Sequence, residues 1–198
     1  MAIPVDQIEN MPAFSPYYPM PPARYRNVRF QFVCFRADRA AVDRVLPDCF
    51  EPSEDGFCVA TGLTVPWSAN YGSFEESILT VKCSYQGQDG YFAPVVFLNS
   101  RSSIPAGREI YGTPKVFADV KVDQDERVMY TDTWLAGASA LSMRSTMQRE
   151  MAIEEMPNWA PSWRLKVIPR ADGTGADVMQ IIDTSGVTSD VTVHICRA

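Results

Sequence analysis

Histidine is almost missing from this chain: among 198 residues there is one, His194. Metal centres draw on clustered histidine and cysteine at short spacing, and the five cysteines, Cys34, Cys49, Cys58, Cys83 and Cys196, contain no CxxC pair. No metal is therefore expected, and an odd number of cysteines set in apolar runs reads as reduced core residues. Phosphate-binding glycine loops of the GxGxxG and GxxxxGK[ST] types are missing, as is the GxSxG of serine hydrolases. Nucleotide chemistry and serine hydrolysis drop out with them, and no cofactor is expected. Positive charge is also scarce. Lysine and arginine number 18 against 24 acidic residues, and a net charge of −6 repels phosphate backbones, so nucleic acid is not an expected partner. No apolar run has the length needed to cross a bilayer, and the opening MAIPVDQIENMPAF carries acid where a signal peptide carries base. The expectation is no membrane and a cytoplasmic location.

What is present is an ordinary globular composition, 46% hydrophobic and 21% charged, in a length that fits a single domain over 1–198. Fifteen prolines argue against long helices. Residues 1–26, with their run of proline and aromatics, read as an extended arm. The β-branched and aromatic stretch from Asn27 to Phe35 reads as a strand, followed by a short helix capped by Asp38 and stopped by Pro47. Phe57–Val65, Ser77–Tyr85 and Tyr91–Leu98 follow as strands, the last two joined through Gly87 and Gly90. Ser103–Gly112 reads as a short helix or compact loop, with Pro105 near its start and Gly112 at its end. Two more hairpins, around residues 123–126 and 171–175, precede a last strand over Asp190–Cys196. Many short strands without βαβ rhythm predict a strand-dominated α+β fold: a curved antiparallel sheet, or a closed β-barrel-like core, with a few short helices.

The unusual feature is Gly107-Arg108-Glu109-Ile110-Tyr111-Gly112-Thr113-Pro114-Lys115, a lysine after proline at the head of an apolar strand. From position alone such a lysine most often stretches its ammonium to water or pairs with a carboxylate. The segment nevertheless resembles the Schiff-base motif of the acetoacetate decarboxylase family, in which Gly-Arg-Glu leads into Pro-Lys. Agreement extends along the chain. Tyr25–Pro47 resembles the family's first strand and helix, and Gly72–Ser77 its Gly-x-x-x-Glu-Ser. Trp163–Gly173 resembles its Leu-Lys-x-Ile-Pro-x-x-Asp-Gly, and Asp190–His194 its Asp-Val-Thr-Val-His.

The resemblance implies that Lys115 attacks the ketone of a small oxo-acid and that Glu76 is an active-site acid. An amine attacks only when neutral, and an ordinary lysine is neutral in about one molecule in several thousand at pH 7. Acetoacetate decarboxylase is itself a standard example of such a lysine activated by desolvation or a neighbouring cation. Here the second lysine that follows the catalytic one in the family is replaced by Val116, which leaves burial as the lever, with Val116, Phe117, Trp67 and Trp134 as candidate apolar wall. The family's pocket arginine falls on Val28 in an ungapped match and on Arg29 after a one-residue shift, and a second pocket acid falls near Thr61. Arg29, Arg108 and Val116 are thus the expected substrate-binding residues. Arg108 and Glu109 also read as supports that present Lys115, and His194 reads as a core residue. The implied activity is a cofactor-free lyase that passes through a lysine imine, either decarboxylating a 3-oxo acid or directing a 2-oxo acid into aldol addition and dehydration. A non-catalytic barrel that binds small molecules is the competing expectation. The family continues past Asp-Val-Thr-Val-His: either the sequence here stops short of the family's end, or the sheet closes differently and leaves an edge strand for another subunit to cover. The resemblance also implies a homo-oligomer.

Overall fold

The computed structural model describes residues 2–186 and 193–197, the last five by backbone alone. Strands dominate. In chain order they are β1 (Tyr25–Arg26), β2 (Arg29–Arg36), β3 (Glu51–Pro52), β4 (Phe57–Val65), β5 (Trp67–Ser68), β6 (Phe74–Tyr85) and β7 (Gln88–Leu98). After these come β8 (Lys115–Phe117), β9 (Asp119–Asp125), β10 (Val128–Leu135), β11 (Ala138–Met151), β12 (Ser162–Pro169), β13 (Ala176–Asp183) and β14 (Val193–Arg197). Among the described residues two α-helices interrupt them, α1 (Arg39–Asp43) and α2 (Ser103–Tyr111). Residues 2–24 hold a single 3-10 turn at Val5–Gln7.

One eight-stranded sheet carries the path β13-β12-β7-β6-β4-β2, with β3 added on β6 and β8 on β7. A four-stranded sheet, β14-β11-β10-β9, packs against it, and β1 pairs with β5. The expected α+β, strand-dominated class holds. Two details of the expectation do not. The large sheet stays open, ending in β13 and β2 rather than closing into a barrel. It is also mixed, because β7 pairs in parallel with both β8 and β12. Parallel neighbours need a crossover, and α2 supplies the one between β7 and β8.

Alternation along the strands sorts the core. Gln31, Gly62, Ser77 and Phe97 project from one face of the large sheet onto the small one, where Ala118, Val120, Val122 and Met129 form a buried cluster packed by Phe97 and Met147. Polar groups sealed in this interface are paired. Gln31 donates to Met129 O at 3.0 Å and Ser145 Oγ at 2.8 Å and accepts from Thr131 Oγ1 at 2.6 Å, while Ser77 Oγ and Thr133 Oγ1 lie 2.7 Å apart. The opposite face gathers Leu63, Val65, Phe74 and Leu98, packed by Val28, Tyr71, Ile78 and Ile104.

Local chemistry explains most of the elements. The β6–β7 hairpin closes on Gln86 and Gly87, both at positive φ (51° and 79°), as a tight two-residue turn requires. Helix α1 forms where expected, but the Asp38 side chain makes no cap; its carbonyl accepts the Ala41 and Val42 amides instead. The chain leading into the expected hairpin around residues 123–126 divides at Ala118 into β8 and β9. Strand β11 has no counterpart in the sequence expectation. Cys58 and Cys83 are buried, with burial pushing the Cys83 thiol up to about 12, whereas Cys34 and Cys49 are exposed rather than core residues. His194 lies in β14, where side chains are outside the described residues. No helix among the described residues is long and apolar enough to cross a membrane.

The Gln31 network makes the first prediction. Replacing Gln31 with Leu leaves Thr131, Ser145 and the Met129 carbonyl without their partner, and should cost about 2–4 kcal/mol, read as a lower urea midpoint with an unchanged slope. An unchanged midpoint would show that the network adds nothing to the join between the sheets.

Candidate active site

Helix α2 is built to be held tightly at both ends. Pro105 sits in its first turn, where a missing N–H costs nothing. Ser103, Ala106 and Gly107, on one face of the helix, are buried. At the far end Gly112 adopts φ 70°, its amide returning to Arg108 O at 3.2 Å, and Thr113 N donates to Gly107 O at 2.9 Å. A Cβ at Gly112 would run into the Lys166 backbone at 2.3–2.4 Å, so the position needs glycine both for its dihedral and for the approach of β12. Pro114 then delivers the chain into β8.

There the Lys115 side chain turns under α2. Its Nζ lies 3.1 Å from Glu76 Oε2 and donates to Ser103 Oγ at 2.7 Å, and it stands 5.9 Å from the centre of the Phe74 ring. The two side chains are 12% and 10% exposed, which makes this a shielded ion pair rather than a surface one. Pairing explains the juxtaposition. Glu76 is opposite Leu63 on β4 and Leu98 on β7, and Lys115 is registered with Val96 on β7, so all point to the same face. Glu75, one residue away, points the other way and accepts from Val122 N at 2.9 Å and Asn99 Nδ2 at 3.3 Å. The adjacent glutamates are therefore not a solvated pair.

An aromatic wall stands on the Glu76 side. Tyr25 meets Phe74 edge-on at 6.2 Å, and burial pushes its phenol up, with Tyr71, Glu76 and Tyr111 adding to the effect. Burial also raises the Tyr71 phenol, again with Tyr111 nearby. The amino-terminal arm thus contributes to the site, and Tyr18, itself buried, donates its hydroxyl to Glu109 at the end of α2.

Of the residues anticipated from sequence, Lys115 and Glu76 are together. Arg108 is exposed and its Nη1 donates to the Lys115 carbonyl at 3.3 Å, bracing the strand rather than facing Nζ. Arg29 leaves β2 on the face toward the four-stranded sheet, where its charge helps depress Asp123, while Val28 packs beside Phe74 and Ile104. Val116 is registered with Phe97, on the face away from Nζ, and is 37% exposed. Phe117, Trp67 and Trp134 are also exposed, and Trp67 stacks on Arg26. The wall comes from Phe74, Leu63, Leu98 and Ile104 instead. Thr61 is buried on the same strand as Leu63 and on the same face. Sequence reasoning passed over Ser103 and Phe74, and also Arg164, whose guanidinium burial lowers from its ordinary value while Glu76 and Asp183 oppose the change. Two shallow surface depressions, one lined by residues such as Glu51, Asp55 and Lys82 and one by Thr64, Phe74 and Asn99, do not include Lys115.

Comparison with known proteins decides the kinship. The family model described as acetoacetate decarboxylase (ADC) matches residues 10–195. The chain belongs to the acetoacetate decarboxylase family. An acetoacetate decarboxylase from Acidiphilium cryptum is 30% identical over 169 residues, covering 83% of this chain and 68% of its own length. The acetoacetate decarboxylase of Clostridium botulinum is 27% identical over 187 residues, covering 92% of this chain and 74% of its own length. The corresponding share is 64% for acetoacetate decarboxylase 2 of Mesorhizobium japonicum, so the chain spans about two thirds to three quarters of these relatives. Among solved structures, the acetoacetate decarboxylase of Legionella pneumophila superposes with a TM-score of 0.78 at 26% identity, over 89% of this chain and 72% of that one. The enduracididine biosynthesis enzyme MppR, solved with the condensation product of pyruvate and imidazole 4-carboxaldehyde, shares the fold at a TM-score of 0.71 and 18% identity, over 86% and 74% of the two chains.

Gly107 gives this family member a clean probe of site geometry. A Cβ there would lie 2.6–2.7 Å from Lys115 Cδ and Cε, so the flexible lysine must move aside. Gly107→Ala should keep its thermal midpoint, since alanine favours the helix by up to about 1 kcal/mol, yet lose at least tenfold in the rate of reductive trapping of an oxo-acid. Full trapping by a stable variant would show that the lysine's position under α2 is not needed.

Proposed function

We propose that this acetoacetate decarboxylase family member is a lyase that captures a small oxo-acid as an imine on Lys115, with Glu76 as its proton partner. The observation that carries this reading is the shielded contact between Lys115 Nζ and Glu76 Oε2 at 3.1 Å, with Ser103 Oγ as a second anchor. Two opposite charges in a poorly hydrated place are costly unless well paired. When an incoming ketone displaces the remaining water, passing one proton from the ammonium to the carboxylate leaves a neutral amine beside a neutral acid. That exchange readies the nucleophile without a second lysine, for which Val116 stands in the sequence.

The steps balance on these two groups. The amine adds to the carbonyl carbon, and the new alkoxide takes one of the two protons from the nitrogen made cationic by the addition, giving a neutral carbinolamine. The protonated Glu76 then gives its proton to the departing hydroxyl, so that water leaves and an iminium remains opposite a carboxylate. The iminium accepts the electron pair released when carbon dioxide departs from a 3-oxo acid, forming an enamine that is protonated on carbon and hydrolysed by water to free the lysine. With a 2-oxo acid the same iminium loses a proton from the adjacent carbon, and the enamine adds to an aldehyde. Membership of a decarboxylase family favours the first exit, and no bound cofactor is invoked by either. Assembly as a homo-oligomer belongs to the same reading, supported by the exposed Val5, Met11 and Phe14 of the arm.

Incubation with acetoacetate or pyruvate and borohydride, followed by peptide mass measurement, should place one reduced adduct on Lys115. Lys115→Arg should abolish it, and Glu76→Gln should slow its formation by about 10²-fold or more. Release of carbon dioxide from acetoacetate separates the two exits. An adduct on Lys82 or Lys121, or no adduct with either acid, would overturn the assignment, the second outcome leaving a binding protein of the same fold.

A further inference from the structure

Arg164 is out of place for an ordinary arginine. Trp163 packs into the buried cluster with Phe50, Cys83 and Phe92, so alternation along β12 sends Arg164 to the other face, the one that bears Glu76 and Lys115. Its recorded hydrogen bonds all leave from Nη1, to Trp163 O at 2.7 Å and Ser162 Oγ at 3.0 Å. Nε is sealed from solvent and has no hydrogen-bond partner among the described residues. None of the ion pairs among the described residues includes Arg164, although the fields of Glu76 and Asp183 both reach it. The uncommitted side of the guanidinium is thus the Nε–Nη2 edge, whose two parallel N–H bonds match the two oxygens of a carboxylate. A desolvated charge without an opposing partner is expensive to keep and is characteristic of functional sites.

We propose that Arg164 is the residue that binds the substrate's carboxylate, taking it in a two-pronged contact on the Nε–Nη2 edge while the ketone faces Lys115. This deepens the imine reading and rests on it for the identity of the ligand as an oxo-acid. It also supplies the guanidinium that neither Arg29, facing the small sheet, nor Arg108, spent on a carbonyl, brings to the amine. The charge is held on a strand rather than a loop, and Ser162 and the Trp163 carbonyl fix its orientation before any ligand arrives.

The test separates carboxylate binding from imine chemistry by using butyrate, which has no ketone, and butyramide, its uncharged counterpart, in calorimetric titrations of the full chain. Wild-type protein should bind butyrate at least tenfold more tightly than butyramide. Arg164→Met should erase that preference, weakening butyrate at least tenfold and leaving butyramide unchanged, while Arg164→Lys keeps part of it. Because the change removes a desolvated charge, the thermal midpoint of Arg164→Met should not fall, whereas a purely structural arginine would lower it. If Arg164→Met does not fold, Arg164→Gln provides the same comparison. A wild type without preference for the anion, or a variant that binds butyrate as the wild type does, overturns the proposal. Borohydride trapping on the same samples reports separately on the imine: anion binding lost in Arg164→Met with no trapped adduct in the wild type keeps Arg164 and removes the Schiff base, and the reverse outcome removes Arg164 alone.

Discussion

A largely shielded amine and a buried carboxylate, 3.1 Å apart, organise this molecule. Either charge alone in that place would cost several kcal/mol, and removing one partner of such a pair typically costs about 3–5 kcal/mol. The pair persists because three elements converge on it. β6 presents Glu76, β8 presents Lys115, and α2 lowers Ser103 and Gly107 onto the lysine stem. The proposed proton exchange between the two groups relies on the same closeness that stabilises the charges.

The rest of the fold can be read as what keeps that contact dry and aligned. A shallow antiparallel sheet would leave the lysine at an edge. Here the parallel registration of β8 on β7 sets Lys115 beside Val96, and α2, tied to β12 by the close approach of Gly112 to Lys166, roofs it. On the other face the sealed hydrogen bonds of Gln31, Ser77, Thr131 and Thr133 clamp the two sheets in one register. A one-residue slip there would turn Glu76 away from the lysine and Glu75 toward it.

Much of this was legible in the chain, for identifiable reasons. Gly87, Pro105 and Gly112 constrain the backbone locally, so the β6–β7 hairpin and the bounds of α2 could be placed from those residues. Lys115 and Glu76 were singled out by the motif that carries the family resemblance. Contacts decided by distant pairing were not legible. β11 was missed because its inward positions, Leu141, Met143, Ser145 and Met147, mix polar with apolar, and the turn before it is made by Ala136 and Gly137 at positive φ, without a stronger turn signature. The parallel pairings of β7 depend on where α2 and β12 come to rest. Arg29 and Val116 sit next to residues that do face the site, and strand alternation alone sends them elsewhere. Arg164 resembled any strand arginine in the letters, and only the fold reveals its sealed Nε.

Kinship with the acetoacetate decarboxylases supports the proposed chemistry, and MppR shares the fold. The central proposal is narrower: Lys115 and Glu76 act as one coupled pair. A double-mutant cycle of Lys115→Met and Glu76→Gln, read by urea unfolding, tests it most directly. The double change should cost less than the sum of the two single changes by at least about 1 kcal/mol, because each single change strands the other group without its partner. Costs that simply add would contradict it.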